Sequence, residues 1–181
     1  MFARTRHEAV RSFLEPLKAV IGCVTSEGLV TRDTSIPGEQ QTALLQDGFV
    51  ILSRRNGQAL SLELNHRFVV RQASDPRGRW MASTTEYIYK VFDEQSHLIA
   101  AWHWHPGAVG VEDESHWPHV HAYGARDTLT LHRLHLPTGR VALEAVVRFL
   151  IEDLGVVPRR ADWRVFLDRH ETRFRQTRTW A

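Results

Sequence analysis

Asp47–Leu64, with the sequence DGFVILSRRNGQALSLEL, is the stretch that decides the fold. It contains two dipeptides, Asp47-Gly48 and Asn56-Gly57, of the kind that form two-residue type I′ turns between antiparallel strands. They bracket the apolar run Phe49–Ser53, and Ala59–Leu64 follows with its leucines at alternate positions. Because side chains alternate between the two faces of a strand, these leucines indicate one buried face. The stretch therefore predicts antiparallel β-hairpins.

The same pattern continues through the middle of the chain. Turn residues recur at Asp75–Gly78 and Asp93–Ser96, between segments of alternating or β-branched side chains. Further strands are predicted at His66–Gln72, Thr85–Phe92, Leu98–His105, Trp117–Tyr123 and Thr128–Leu134. Together these segments predict an antiparallel sheet of about six to eight strands.

Helical periodicity appears near both ends of the chain. Apolar residues within Val10–Ile21 recur at helical spacing, with Pro16 as a kink or a boundary. Gly28–Gln40 has the composition of a loop. Leu143–Leu154 and Trp163–Phe174 have the same helical spacing, and the first of these helices is expected to start at Thr138 or Gly139.

These elements predict one α+β domain over residues 1–181. An N-terminal helix and two C-terminal helices would pack on one face of the antiparallel sheet. The length of 181 residues, 43% hydrophobic content and 24% charged content are typical of a soluble globular protein and exclude a disordered one. No run approaches the roughly 20 apolar residues of a membrane span, and no apolar run follows the N-terminus as in a signal peptide.

The single cysteine and the charge distribution indicate a cytoplasmic protein with a basic tail. Cys23 lies in an apolar run, so a buried thiol in a reducing compartment is expected. The segment Pro158–Ala181 holds seven arginines against three acidic residues, a local charge of +4. Arginine suits phosphate well, so the tail is a candidate phosphate-contacting face and a candidate site for an acidic partner. A GC-rich genome would produce the same arginine bias without any function.

Eight of the eleven histidines lie between His97 and His135. Strand periodicity places His103 and His105 on one face, and His119 and His121 on one face of another strand. If these strands are neighbours, four imidazoles form one patch within a site segment that spans residues 103–135. The loop 106–115 between them would add acidic side chains, and His132 and His135 would join only if their strand breaks before Pro137.

Three interpretations of the histidines stay open. Neutral and protonated imidazoles could cleave RNA without a metal, one taking the 2′-hydroxyl proton and another protonating the departing 5′-oxygen. The two HxH pairs could instead hold a divalent metal such as zinc, with Glu112 or Asp113 as a further ligand. The histidines could also be structural. In the metal interpretation the ligands would be His103, His105, His119 and His121.

Four other residues are candidates for substrate binding. Arg126 and Arg140 follow the histidine strands and could contact phosphate, and Arg140 is expected in the first turn of a helix, where backbone N–H groups attract anions. Tyr87 and Tyr89 share a strand face and could form a platform on which bases stack. The alternatives are solvated arginines and core aromatic residues.

Four motifs occur in an order that resembles the TumE-like toxins of bacterial toxin–antitoxin pairs. They are Asp47-Gly-Phe-Val50, Tyr87-Ile-Tyr-Lys-Val-Phe-Asp93, Trp102-His-Trp-His-Pro106 and Pro118-His-Val-His121. The resemblance covers about residues 47–121. The arginine-asparagine pair that accompanies the family's first histidine element is replaced here by Ala101-Trp-His-Trp104, and the C-terminal helices extend beyond the usual short toxin.

The resemblance implies a toxin-type endoribonuclease, a hydrolase that cleaves RNA by histidine acid–base catalysis without a metal cofactor. Its catalytic residues would be His105, His119 and His121, with His103 as a weaker match, and an acidic antitoxin would be its partner. The alternatives are a metal-dependent enzyme at the same histidines, a hydrolase or an oxygenase, and a binding protein without catalysis.

Overall fold

The computed structural model of the chain describes residues 3–32, 38–74, 78–106, 117–122 and 136–177. It confirms an α+β fold with one N-terminal helix, an antiparallel sheet and two C-terminal helices. The elements are α1 (Arg6–Ile21), β1 (Leu29–Arg32), β2 (Gln40–Ser53), β3 (Ala59–Gln72), β4 (Trp80–Phe92), β5 (Leu98–Trp104), β6 (His119–Ala122), β7 (Leu136–Pro137), α2 (Leu143–Glu152) and α3 (Trp163–Thr177).

The sheet is a meander in which every strand pairs antiparallel with its neighbour in sequence. β3 shows why the chain takes this form, because nearly every second residue from Leu60 to Val70 is buried and the residues between are half-buried. Such alternation is typical of a sheet that packs on one face only. The order β1 to β7 therefore places β5 and β6 side by side near one end of the sheet.

The helices pack on one face of this sheet. Trp102 and Trp104 of β5 belong to the main core together with residues of α2 and α3, including Leu150 and Leu167. A smaller cluster joins α1 to Phe68 and its neighbours on β3 and β4. His103 lies between the two tryptophans on β5, so its side chain must point away from these helices. The histidines therefore lie on the opposite face of the sheet, on which no described helix packs.

The two predicted hairpin dipeptides have different outcomes. Asp47-Gly48 does not form a turn, because it lies inside β2 at a bulge where the pairing with β3 shifts between Leu44 and Phe49. Gly48 has φ of 85°, which an extra residue in a strand often requires. Asn56-Gly57 does connect β2 to β3, but only Gly57 has positive φ, so the turn is not type I′. A dipeptide of Asp or Asn followed by Gly can therefore form either a turn or a bulge.

Other boundaries also differ from prediction. Gly28–Gln40 contains the short strand β1, and α1 continues through Pro16. α2 begins at Leu143 rather than near Thr138, with Ala142 as an N-cap that makes no side-chain hydrogen bond. The predicted strand Thr128–Leu134 lies outside the described residues.

Two predictions from composition can be checked directly. Cys23 is fully buried, as expected. Of the helices in the described ranges, none is both long and apolar enough to cross a membrane.

Candidate functional site

Pairing between β5 and β6 brings the two HxH pairs together, as predicted. His103 faces His119 directly across the strands, and His121 faces Ala101. His105 follows immediately after β5. Since directly paired residues share a sheet face, and alternate residues along a strand do too, all four imidazoles lie on the face opposite the helices.

The four imidazole rings form one cluster. The ring centroid of His103 lies 5.4 Å from that of His119 and 5.0 Å from that of His121. His105 lies 6.1 Å from His103 and 5.7 Å from His119, and His119 lies 4.9 Å from His121. His103 therefore touches the other three, although the family resemblance gives it the least weight.

Three of these histidines could hold a metal ion. One nitrogen from each of His103, His105 and His119 lies within 4.8 Å of the other two. Tetrahedral zinc with Zn–N bonds of about 2.05 Å needs nitrogens about 3.3 Å apart. Side-chain adjustments of about 1 Å would close that difference. The nitrogen atoms thus converge on one point that a small cation could occupy.

The orientation of His119 is fixed by the backbone. Its Nδ1 lies 2.8 Å from the carbonyl oxygen of Trp117. A carbonyl can only accept, so Nδ1 carries the hydrogen and Nε2 of the neutral ring keeps its lone pair. His119 is also only 3% exposed, so its ring is held firmly by its surroundings. Metal-binding histidines commonly have one nitrogen anchored in this way.

His103 is held in its neutral form. Burial, together with the smaller effect of the charges of His121, His119, His105 and Lys90, lowers its pKa to about 3. Within the described part of the chain, Nε2 of His103 and Nδ1 of His105 are buried and make no hydrogen bond. A buried nitrogen without a partner is costly unless a ligand satisfies it. This pattern favours a site that binds something at these two rings.

Tyr87 and Tyr89 do not form a base-stacking platform. They are 3% and 1% exposed and belong to the core on the helix side of the sheet. The Tyr87 hydroxyl accepts a hydrogen bond from the backbone N–H of Val141 at 2.8 Å. The prediction was wrong because strand periodicity gives a shared face but not which face is buried, and large aromatic residues commonly fill cores.

Arg140 also differs from its prediction. It precedes the N-cap of α2 and therefore lies outside the first helical turn. Its guanidinium stacks on the Trp104 ring at 3.6 Å from the centroid, and Trp104 is part of the helix-side core. The side chain thus lies across the sheet from the imidazoles. Arg126, Glu112 and Asp113 lie outside the described residues, as do His132 and His135.

Arginines of the basic tail are partly neutralised. Arg160 binds Asp162 at 2.7 and 2.8 Å, and Arg164 binds Glu152 at 3.1 Å. α3 packs on the same side as Trp102, whereas the histidines lie on the other side. Any phosphate that these arginines bind would therefore be separate from the histidine patch.

Lys90 is a neighbour of the patch that the sequence argument did not include. It pairs with Ala101 on β5, whose partner on the other side is His121, and it forms an ion pair with Glu63 at 3.5 Å. Alternation along β4 could have placed it on the same face as the histidines, but only once the register with β5 was known. Lys90 adds a positive charge beside the imidazoles.

No family model, no curated protein and no solved structure matched this chain in the comparisons made. The resemblance to TumE-like toxins therefore stays a prediction.

Proposed function

We propose that the protein is a metal-dependent enzyme that binds one divalent transition-metal ion through His103, His105 and His119. The observation that carries the proposal is the convergence of one nitrogen from each ring within 4.8 Å. Three imidazoles are typical ligands of catalytic zinc and suit iron, copper and nickel as well. An ion held by these three residues would supply a nucleophile near neutral pH by activating water.

The electrostatics of the patch favour a metal over metal-free catalysis. Acid–base cleavage without a metal needs one imidazole that is protonated near neutral pH. His103 has a pKa of about 3, and its ring contacts three other imidazoles, each of which would repel a second charge. A metal ion instead requires neutral imidazoles, the state in which His103 is held.

The residues around the three ligands have complementary roles in this proposal. His121 contacts both His103 and His119 but is outside the converging group, so we assign proton transfer to it. Lys90 lies on the same face, where Glu63 at 3.5 Å partly offsets its charge. A bound divalent ion would add two positive charges, so an anionic group such as a phosphodiester would be attracted to this surface. The proposed reaction is therefore hydrolysis of an anionic ester.

A second candidate is the toxin-type endoribonuclease without a metal. It is favoured by His119 and His121, whose rings lie 4.9 Å apart, and by the anchoring of Nδ1 of His119 that leaves Nε2 as a proton acceptor. In this candidate His119 removes the 2′-hydroxyl proton and His121 protonates the leaving oxygen. His105 would assist, and RNA and an acidic antitoxin would be the partners.

Metal analysis separates the two candidates. The purified full-length chain is stripped with a chelator, loaded in turn with zinc, iron(II), cobalt(II) and nickel(II), and its bound metal is measured by mass spectrometry. We expect one ion per chain for at least one metal, and loss of that ion in a variant with His103, His105 and His119 all changed to alanine. His97→Ala is the matched control, because His97 lies in the β4–β5 turn with its side chain 77% exposed.

The same preparations are then assayed on a generic phosphodiester and on RNA. Hydrolysis by the loaded enzyme alone supports the metal-dependent enzyme. RNA cleavage of equal rate after stripping, abolished by His119→Ala and His121→Ala, would replace it with the metal-free nuclease. If wild type takes up no ion from any of the four metals, the metal site is excluded.

A further inference from the structure

The outer edge of β2 is open over part of its length. β1 pairs with β2 only as far as Leu45, which faces Leu29. At the other end, the carbonyl of Ser53 accepts a hydrogen bond from the backbone N–H of Val157 at 2.9 Å. Between these points no strand in the described part of the chain lies beside Asp47–Leu52. We refer to this stretch as the β2 edge gap.

Backbone hydrogen-bonding groups face the β2 edge gap. The carbonyl of Ser53 points outward, since it binds Val157. Residues two apart in a strand direct their N–H and C=O groups to the same side, and the pairing of residues 49–53 with β3 is unbroken. Phe49 and Ile51 therefore present a donor and an acceptor each, and no described backbone group bonds to them there.

A groove of mixed polar and apolar lining lies beside these groups. It encloses about 600 Å³ and is lined by Val24–Glu27 and by Val157–Arg159, two segments that are joined by a hydrogen bond from the backbone N–H of Arg159 to the carbonyl of Cys23. Phe49 and Ile51 are 50% and 59% exposed, and Val157 is 46% exposed. Soluble proteins usually cover or charge an open edge that carries apolar side chains, because it pairs readily with other strands.

The dimensions of the β2 edge gap select a short extended peptide. Gly28 accepts a hydrogen bond from Gln46 at one end, and Val157 bonds Ser53 at the other. Beyond the bulge, the regular stretch from Phe49 to Ser53 has four residue steps and spans about 13 Å, so it pairs with about four residues of an extended peptide.

Charges at the two ends define the peptide further. Glu27 and Asp47 line the groove at the end near Gln46, and Arg159 lines it at the end near Ser53. We propose that the β2 edge gap binds an extended segment of a partner protein by strand addition. That segment has apolar residues at alternate positions, a basic residue at one end and an acidic residue at the other. The site lies apart from the histidine patch and does not depend on the proposed metal.

Three capped pentapeptides test this proposal on the full chain. Their sequences are Lys-Val-Thr-Val-Glu, the charge-reversed Glu-Val-Thr-Val-Lys and the neutral Gln-Val-Thr-Val-Gln. Binding is followed by amide chemical shifts in two-dimensional NMR. One charged peptide should bind about 5-fold more tightly than the neutral one and the other less tightly, with the largest shifts at Phe49 and Ile51. The charged peptide that binds more tightly shows whether the added strand is parallel or antiparallel to β2.

Two variants identify the cause of binding. Ile51→Pro removes an outward donor and should abolish binding; a proline is tolerated at a strand edge when its N–H would face outward. Glu27→Lys combined with Arg159→Glu should invert the preference between the charged peptides without touching the strand. Equal binding of all three peptides, no binding, or shifts that map elsewhere would overturn the proposal. Shifts at Phe49 and Ile51 that appear on concentrating the protein alone would instead assign the edge to a second copy.

Discussion

Nδ1 of His66 lies 2.7 Å from the hydroxyl oxygen of Tyr89, in the core on the helix side of the sheet. Nε2 of the same ring lies 2.9 Å from Oγ1 of Thr84. Both ring nitrogens are thus bonded to hydroxyl groups rather than to charges. Burial lowers the pKa of His66 to about 4, so its ring is neutral in the folded protein at ordinary pH.

His66 should make stability depend on pH in acid. The unfolded chain takes up a proton at His66 below its ordinary pKa of about 6.5, whereas the folded chain does so only near 4. The contribution of His66 to the free energy of unfolding should therefore fall as pH drops from 6.5 to 4, by about 3 kcal/mol in total. Urea unfolding of wild type and His66→Gln across this range measures it. A difference between the two curves that does not vary with pH would contradict the expectation.

Metal affinity should depend on the side chain of His119 and not on that of Trp117, two residues earlier. His119→Ala removes a ligand nitrogen and should weaken binding at least about 100-fold, measured by competition with a chromogenic chelator. Trp117→Ala is the matched control. The Trp117 side chain is 74% exposed, and the contact to His119 uses only its backbone carbonyl, so affinity should stay within about 2-fold. Equal losses in both variants would indicate general disruption of β6.

The toxin hypothesis makes a prediction in cells. Induced expression of the intact chain should arrest growth, and His119→Ala and His121→Ala should each relieve the arrest. His97→Ala should arrest growth like wild type, since its ring is bonded to Asp93 in an exposed turn away from the patch. Absence of arrest by wild type, or arrest that survives both site substitutions, would contradict the toxin role.

The bulge in β2 should depend on its glycine. Gly48 has φ of 85°, so Gly48→Ala should lower the free energy of unfolding by about 1 kcal/mol even though the added methyl group has open space. Gly28→Ala offers a control, because Gly28 also has open space but no positive φ. It should be neutral or slightly stabilising. Denaturant unfolding compares the three proteins, and equal effects of both substitutions would count against the bulge.

Fold class and the shared face of the histidine pairs were predictable because they depend on short-range periodicity. The alternation of apolar residues predicted for β3 and their helical spacing in α2 match the residues that are buried in the structure. The same periodicity placed both HxH pairs on one face, whereas the register that sets His103 opposite His119 is known only from the structure. The periodicity itself needs no knowledge of distant parts of the chain.

Features that depend on tertiary context were not predictable. Whether Tyr87 and Tyr89 lie on the buried face of the sheet depends on where the helices pack. The bulge at Gly48 depends on the pairing with the neighbouring strand. The anchoring of His119 by a backbone carbonyl leaves no trace in residue identity. Burial of the His103 ring, which sets its protonation state, is likewise a property of the assembled sheet.

The interleaving of tryptophans and histidines along β5 has an optical consequence. Trp102 and Trp104 are nearly buried on one face while His103 projects from the other, a single residue away. Their indole rings are therefore close to anything that the imidazoles hold, yet shielded from solvent quenchers. A paramagnetic ion such as copper(II) at the patch should dim their fluorescence. The strand thus carries its own reporter of metal binding at the imidazoles.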